Sequence, residues 1–259
     1  MINPFRSAVT VLMYHHVLEA SGFICSSIDE FDQQMAYLVA NNYKTLSIEE
    51  FYRFKKGELK LPKKSVLITF DDGWRNNFVY AYPILKKYGL KATLFVVTGW
   101  IEAASNCKDK PFLALQHKQC KEKAPVSPRE VLCTWNELKK MRDVFDIQAH
   151  THTHRDNYFD QLDWREDIIQ SRVLLKARLG VESKHLCWPR GNYNEDTVKL
   201  AKAAGFEVLY TTERGVNLAD NKLDQIKRIA VKKDARWLRK TIKLFSNAYM
   251  GSIYAKLKR

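Results

Sequence analysis

Residues 65–73, Ser65-Val66-Leu67-Ile68-Thr69-Phe70-Asp71-Asp72-Gly73, restrict the fold more than any other stretch of the chain. Val66, Leu67, Ile68 and Phe70 are β-branched or bulky and nearly continuous, as in a parallel strand covered on both faces. The run then stops at two adjacent carboxylates and a glycine, which frees the backbone to turn. Neighbouring carboxylates repel, and packing gives no reason to pair them. A cation would accept one and leave the other as a base. A solvated acidic turn fits the same residues, because Asp-Gly is an ordinary turn signal.

A second cluster follows about 80 residues on, Asp146-Ile147-Gln148-Ala149-His150-Thr151-His152-Thr153-His154, again a short strand running into polar side chains. His150 and His154 are four apart, so one helical turn or a tight loop brings both imidazoles to one face. His152 has the wrong phase to join them in a helix and reads as a neighbour. Three of the chain's seven histidines fall within five residues. With an aspartate they make an imidazole and carboxylate set suited to zinc.

Thr69-Phe70-Asp71-Asp72-Gly73 followed by His150-Thr151-His152-Thr153-His154 resembles the polysaccharide deacetylase family, also called the NodB-homology or carbohydrate esterase family 4. The similarity runs from about Val9 to Val231. It implies Asp71 as catalytic base, Asp72, His150 and His154 as metal ligands, and Zn2+ as the cofactor, with Co2+ or Mn2+ as substitutes. Leu12-Met13-Tyr14-His15-His16-Val17 resembles the early Tyr-His motif of a circularly permuted subgroup, which makes His15 the general acid and leaves His16 structural. The late segment 225–231 carries no histidine. Leu186-Cys187-Trp188-Pro189-Arg190-Gly191-Asn192-Tyr193 resembles the family's Pro-Tyr-Gly segment, so the Arg190 backbone N–H would hold the oxyanion. Pro189, Gly191, Tyr193 and Trp74 would then contact substrate. The family's arginine that positions the base is replaced by Cys187 and Trp188, and no segment matches the aspartate motif that tunes the acid histidine.

The remaining sequence alternates strand and helix signals. Ser27-Ile28-Asp29-Glu30, Ser47-Ile48-Glu49-Glu50 and Thr134-Trp135-Asn136-Glu137 are capping boxes, and strands are expected over 9–14, 65–72, 92–97, 185–189 and 206–211. That pattern means parallel strands with helical crossovers, and alone it allows an open doubly wound sheet. The resemblance implies a single-domain distorted (β/α) barrel over residues 1–231. Residues 100–130, Lys-rich and without periodicity, read as an insertion lying over the mouth of the site.

With 259 residues, 46% of them hydrophobic, the chain can bury one large core. The apolar run 8–14 after Arg6 is too short for a signal core, and no stretch reaches the 18 or so residues of a membrane span. Five cysteines without Cys-x-x-Cys pairs fit reduced thiols. Cys107, His117, Cys120 and Cys133 match no standard zinc spacing. These features lead to the expectation of a cytoplasmic protein.

Residues 227–259 carry eleven Lys or Arg against one acid, which is +10 of the chain's net +14. On a helix, Leu238, Ile242, Phe245, Tyr249 and Ile253 form one stripe opposite Arg236, Lys240 and Lys243. Residues 232–259 thus read as a basic amphipathic tail, either lying on an anionic membrane or covering the barrel with a solvated basic face. With the implied chemistry, the expected function is N-deacetylation of an amino sugar, carried on a lipid such as polyprenyl phosphate or a lipid A precursor. A soluble chito-oligosaccharide or exopolysaccharide deacetylase and a non-catalytic sugar-binding protein are the alternatives. Nucleic-acid binding has only charge behind it.

Overall fold

The computed structural model of the chain describes residues 8–155 and 163–257. β1 (Thr10–Tyr14) leads through a small two-stranded sheet, β2 (His16–Leu18) and β3 (Cys25–Ser27), into α1 (Ile28–Ala40). β4 (Lys44–Thr45) and α2 (Ile48–Lys55) precede the long strand β5 (Ser65–Asp72). Then come α3 (Tyr82–Lys87), β6 (Ala92–Val96), α4 (Thr98–Ser105), α5 (His117–Lys123), α6 (Pro128–Val131), α7 (Trp135–Lys140) and β7 (Phe145–Ala149). The last third holds α8 (Trp164–Leu179), β8 (His185–Cys187), α9 (Glu195–Ala203), β9 (Val208–Tyr210), β10 (Ile229–Ala230), α10 (Ala235–Phe245) and α11 (Ala248–Leu257). Ser27, Ser47 and Thr134 each close the expected capping box with Glu30, Glu50 and Glu137.

The main sheet runs β10-β1-β5-β6-β7-β8-β9, all parallel, with β4 paired along the start of β5. It curls until the residues leading into β10 bond to β9. Leu209 N donates to the Leu223 carbonyl, and Thr211 N to the Ile226 carbonyl. The two ends of the sheet therefore meet, making a distorted (β/α) barrel in place of an open sheet. Every position of β5 is buried. Val66, Ile68 and Phe70 join the outer core shared with the helices, whereas Leu67 joins Val11, Phe95, Cys187, Tyr210 and Ile226 inside the curl. The two-residue strand period then aims Asp71 inward, above Leu67 and Thr69.

The stretch that read as an insertion without periodicity, 100–130, contains α5, α6 and most of α4. These helices pack a satellite core of Trp74, Trp100, Ala104, Cys120, Val131 and Leu132 beside the end of β5. At four to eight residues each they are too short to show helical periodicity in sequence. Cys107 is exposed while Cys120 and Cys133 are buried, and among the described residues none of them joins a cluster with metal-ligand spacing.

The C-terminal stripe divides. Leu238 and Ile242 on α10 belong to the main core, and Phe245 is buried with them. The chain then turns at Ser246 and Asn247. On α11, Tyr249, Met250, Ile253 and Leu257 are exposed. α10 is thus a wall of the barrel, packed against α1, so the expected appendage beginning at residue 232 is not one over this half. The first seven residues, on which the reading of the N-terminus partly rests, and Lys258 and Arg259 of the tail lie outside the described residues.

Ile242→Ala should therefore cost about 2–5 kcal/mol of unfolding free energy, against less than about 0.5 for Lys240→Ala on the exposed face. Urea denaturation of both variants checks this. Equal, small losses would mean that α10 is peripheral to the fold.

Candidate active site

Four strand ends converge at the C-terminal mouth of the barrel. β5 turns sharply after Phe70, with Asp72 at φ 78 and Gly73 at φ 90. A Cβ on Gly73 would lie 2.9 Å from Ile101 Cδ1 and 3.3 Å from Val96 Cγ1, so only glycine lets the turn close against β6 and α4. The left-handed twist at Asp72 takes its carboxylate away from that of Asp71. The two neighbours thereby reach different partners.

Asp71 is held by Arg228. The guanidinium binds the carboxylate in a fork, Nη1 to Oδ1 at 2.7 Å and Nη2 to Oδ2 at 2.8 Å, with both residues buried. Arg228 Nε donates to the Thr211 carbonyl at 2.8 Å, which fixes the plane of the fork. Burial raises the Asp71 pKa, and the guanidinium and nearby imidazoles more than offset it, leaving the carboxyl below its ordinary range. Arg228 lies in the segment 225–231, which carries no histidine. It puts an arginine on Asp71, the residue expected to be the base, where the Cys187 and Trp188 positions offer none. Cys187 remains close, its Sγ 3.7 Å from Asp71 Oδ2 and 2.9 Å from Arg228 Nη2.

Asp72 faces two imidazoles. Its Oδ2 accepts from Trp74 Nε1 at 2.7 Å, and its Oδ1 lies 3.4 Å from both His150 Nε2 and His154 Nε2. All three residues are buried, and Asp72 Oδ1 has no hydrogen-bond partner. His150 Nδ1 lies 2.8 Å from the Cys187 carbonyl, an acceptor only, so Nδ1 carries a proton and Nε2, which bears a lone pair when the ring is neutral, faces Asp72. Ligand atoms bonded at about 2.0–2.1 Å to one tetrahedral ion lie about 3.3–3.4 Å apart. An orphaned carboxylate oxygen with two nitrogens at that spacing fits a divalent cation. Asp71, His150 and Cys187 also cluster. That set is the poorer fit, because Arg228 occupies both Asp71 oxygens and the Cys187 sulfur.

His15 stands at the end of β1 with Nε2 3.9 Å from Asp71 Oδ2. Burial lowers its pKa, partly countered by the charges of Asp71 and Asp72. The acidic group nearest His15 is thus Asp71, the residue expected to be the base. His16 turns away, fully buried and stacked on Trp74 at 4.9 Å, with Nδ1 2.9 Å from Asn76 Nδ2 and Nε2 3.1 Å from His117 Nδ1. His152 bonds Thr98 Oγ1 at 2.9 Å and stays outside the cluster.

Among the expected substrate contacts, Trp74 is corrected. It is fully buried, and its indole N–H is committed to Asp72, so it supports the site from beneath. Pro189, Arg190, Gly191 and Tyr193 sit on the turn after β8, at the same end of the sheet. Arg190 is exposed and left-handed at φ 57. A Cβ at Gly191 would meet Thr212 Oγ1 at 2.2 Å, which locks that turn against the loop after β9. Tyr193 stacks on Trp188 at 6.0 Å and donates to Glu213 Oε1 at 3.3 Å.

The family model for polysaccharide deacetylase matches residues 58–209. The chain is 29% identical over 222 residues to YxkH of Bacillus subtilis, covering 85% of this chain and 70% of that protein. It is 29% identical over 216 residues to a poly-beta-1,6-N-acetyl-D-glucosamine N-deacetylase of Staphylococcus epidermidis, covering 80% of this chain and 68% of that one. It is 23% identical to the Escherichia coli protein of the same name, and spans only 37% of its length. In structure it is similar to the Streptococcus pyogenes deacetylase PplD, solved with acetate, at a TM-score of 0.75 and 28% identity over 92% of this chain and 99% of that one. IcaB from Ammonifex degensii shares the fold at a TM-score of 0.70, over 87% of this chain and 92% of that one.

Because Arg228→Ala leaves a buried carboxylate without its cation, it should cost about 3–5 kcal/mol in stability. Asp71→Ala together with Arg228→Ala should cost less than the two losses added, by more than about 1 kcal/mol. A urea-denaturation cycle over the four proteins reads this directly. Additivity within about 0.5 kcal/mol would show that the pair is not coupled.

Proposed function

Because the chain belongs to the polysaccharide deacetylase family, we propose that it is a metal-dependent hydrolase that removes the acetyl group from an N-acetylated amino sugar in a glycan. The observation that carries the reading is the pairing of a base locked by Arg228 with the orphaned Asp72 oxygen between His150 and His154. A missing positioning arginine and a missing tuning aspartate are the features that favour a non-catalytic sugar-binding protein, and Arg228 removes the first of them.

Asp72 Oδ1, His150 Nε2 and His154 Nε2 would hold the cation, and their chemistry suits zinc, with Co2+ or Mn2+ as substitutes. When bound, such an ion polarises an acyl carbonyl and acidifies water. Asp71 takes the proton of the attacking water. Arg228 engages each of its oxygens only once, so a lone pair remains for this, and the fork keeps the carboxylate ionised and aimed. The Arg190 N–H would stabilise the charge that develops on the acetyl oxygen, a contribution of about 100-fold or more in rate. His15 Nε2, beyond Asp71 Oδ2, gives its proton to the departing amine, which is a poor leaving group without one. Acetate and a free amino sugar leave the site.

The names of the staphylococcal and Escherichia coli relatives support a poly-N-acetylglucosamine polymer as substrate. A lipid-linked amino sugar is the second reading, favoured by the C-terminal helices. Lys232, Lys233, Arg236, Arg239, Lys240, Lys243 and Lys256 are exposed alongside the bare apolar residues of α11. A cation near an anionic bilayer contributes about 1 kcal/mol. No helix among the described residues is long and apolar enough to cross a membrane, and on this reading the protein binds the bilayer surface through its C-terminal helices. The reach is long. α11 starts where Ser246 accepts from Ala8 N, before β1, about 20 Å along the strand from His15.

Acetate release from poly-β-1,6-N-acetylglucosamine and from polyprenyl-phosphate-linked N-acetylhexosamine tests both readings. Wild type should release acetate from at least one, Asp71→Asn should be slower by about 100-fold or more, and chelation should abolish the activity. Release from the polymer alone removes the lipid reading. Silence on both substrates with metal loaded overturns the enzyme reading. Separately, changing Arg236, Arg239, Lys240 and Lys243 together to Glu should free the protein from phosphatidylglycerol vesicles without unfolding it. Unchanged sedimentation with the vesicles would take away the membrane partner.

A further inference from the structure

We propose that Asp167, on α8, is the positioning residue for the two histidines of the candidate metal site, an inference that rests on reading Asp72, His150 and His154 as that site. Asp167 is fully buried, and one oxygen, Oδ1, collects three hydrogen bonds from the loop after β7. They come from His152 N at 3.1 Å, Thr153 N at 2.6 Å and Thr153 Oγ1 at 2.9 Å. These donors lie between His150 and His154. The carboxylate therefore grips the middle of the segment whose ends carry both imidazoles.

The loop needs such a grip. Thr151, His154 and Arg155 adopt left-handed backbone angles, φ 62, 58 and 53, which residues other than glycine hold only where their surroundings enforce them. Inside the loop, His154 N donates to Thr151 Oγ1 at 3.1 Å. Outside it, α4 holds the other flank, with Thr98 N donating to the Thr151 carbonyl at 3.2 Å and Gly99 N to the His152 carbonyl at 2.8 Å. A Cβ at Gly99 would lie 2.6 Å from that carbonyl, so the approach is as close as glycine allows. Two helices thus set where His154 Nε2 stands relative to Asp72. Asp167 Oδ2 is buried with no hydrogen-bond partner. Burying a carboxylate to bond one loop is costly for stability alone, and accords with a role in fixing that loop's shape.

The test measures cobalt affinity by competition with a fluorescent chelator, alongside kcat, KM and urea stability, in wild type, Asp167→Ala, Asp167→Asn, Thr153→Val, Asp163→Ala and His154→Ala. Asp167→Ala should weaken cobalt binding about 10- to 100-fold and lower kcat at subsaturating metal, with KM for the glycan unchanged. Asp167→Asn, which keeps a carbonyl oxygen for the three donors, should recover most of the affinity. Asp163→Ala, which removes only the N-cap of α8, should lower stability and leave cobalt affinity alone. Should Asp167→Ala fail to fold, Thr153→Val, missing one of the three donors, should still weaken binding about 3- to 10-fold. Wild-type affinity in both Asp167→Ala and Thr153→Val overturns the proposal, as does a loss in Asp163→Ala as large as that in Asp167→Ala. His154→Ala separates the premise. If wild type binds cobalt no better than His154→Ala does, the metal-site reading has failed and the proposal falls with it.

Discussion

The fork between Arg228 and Asp71 is the interaction on which the rest of this structure turns. Taking both charges out of water costs several kcal/mol each, and the pair persists only because each group finds its full complement of partners. Asp71 has both oxygens engaged, and Arg228 spends its remaining donors on the Thr211 carbonyl, Thr69 Oγ1 and the Cys187 sulfur. Those contacts come from β5, β8, the end of β9 and the residue before β10. The pair can therefore form only when the sheet has curled far enough for its ends to meet. Closure of the barrel and orientation of the base are one event.

The division of labour between two adjacent carboxylates follows from backbone geometry. A regular strand would place Asp71 and Asp72 on opposite faces, and the left-handed turn at Asp72 completes their separation. Asp71 meets a permanent cation, whereas Asp72 meets an indole N–H and two imidazoles that are free to be neutral. One carboxylate is thus neutralised by the protein. The other keeps one oxygen, Oδ1, without a hydrogen-bond partner. Trp74 joins the two halves, since the same indole that bonds Asp72 lies under His16 and anchors the satellite core of α4 to α6.

Much of this was legible in the residues. The run from Val66 to Gly73, the His150 and His154 spacing and the strand ending at His15 each carry their meaning within ten residues, where local periodicity and side-chain chemistry suffice. Arg228 was missed because its partner is 157 residues away, and because its segment was searched for the wrong residue type. A signal was present, for Arg228 stands directly before the apolar residues Ile229, Ala230 and Val231, and a cation drawn into a core needs a buried carboxylate. Trp74 was misread because an aromatic beside a catalytic motif looks the same whether it faces a sugar or supports a ligand. The C-terminal stripe was drawn as one helix since hydrophobic phase continues across Ser246 and Asn247, and only packing against α1 on one side of that turn separates the two halves.

What the buried groups leave undecided is the sugar, and the distribution of exposure explains why. Asp71, Asp72, His150, His154 and Arg228 are all less than a tenth exposed, so they offer little surface to anything larger than a small group. The exposed groups around the mouth are of another kind. Arg190 projects from a strained turn, Tyr193 presents a half-buried ring on Trp188, and Phe23, 77% exposed, leans on His117 of α5 at 5.9 Å. They come from loops after β2 and β8 and from the helices between β6 and β7, segments that carry few constraints from the barrel. The buried set is therefore tied to closure of the barrel, while the set nearer the surface stands on the loops and short helices around it. A change of substrate could come through the second set without disturbing the first.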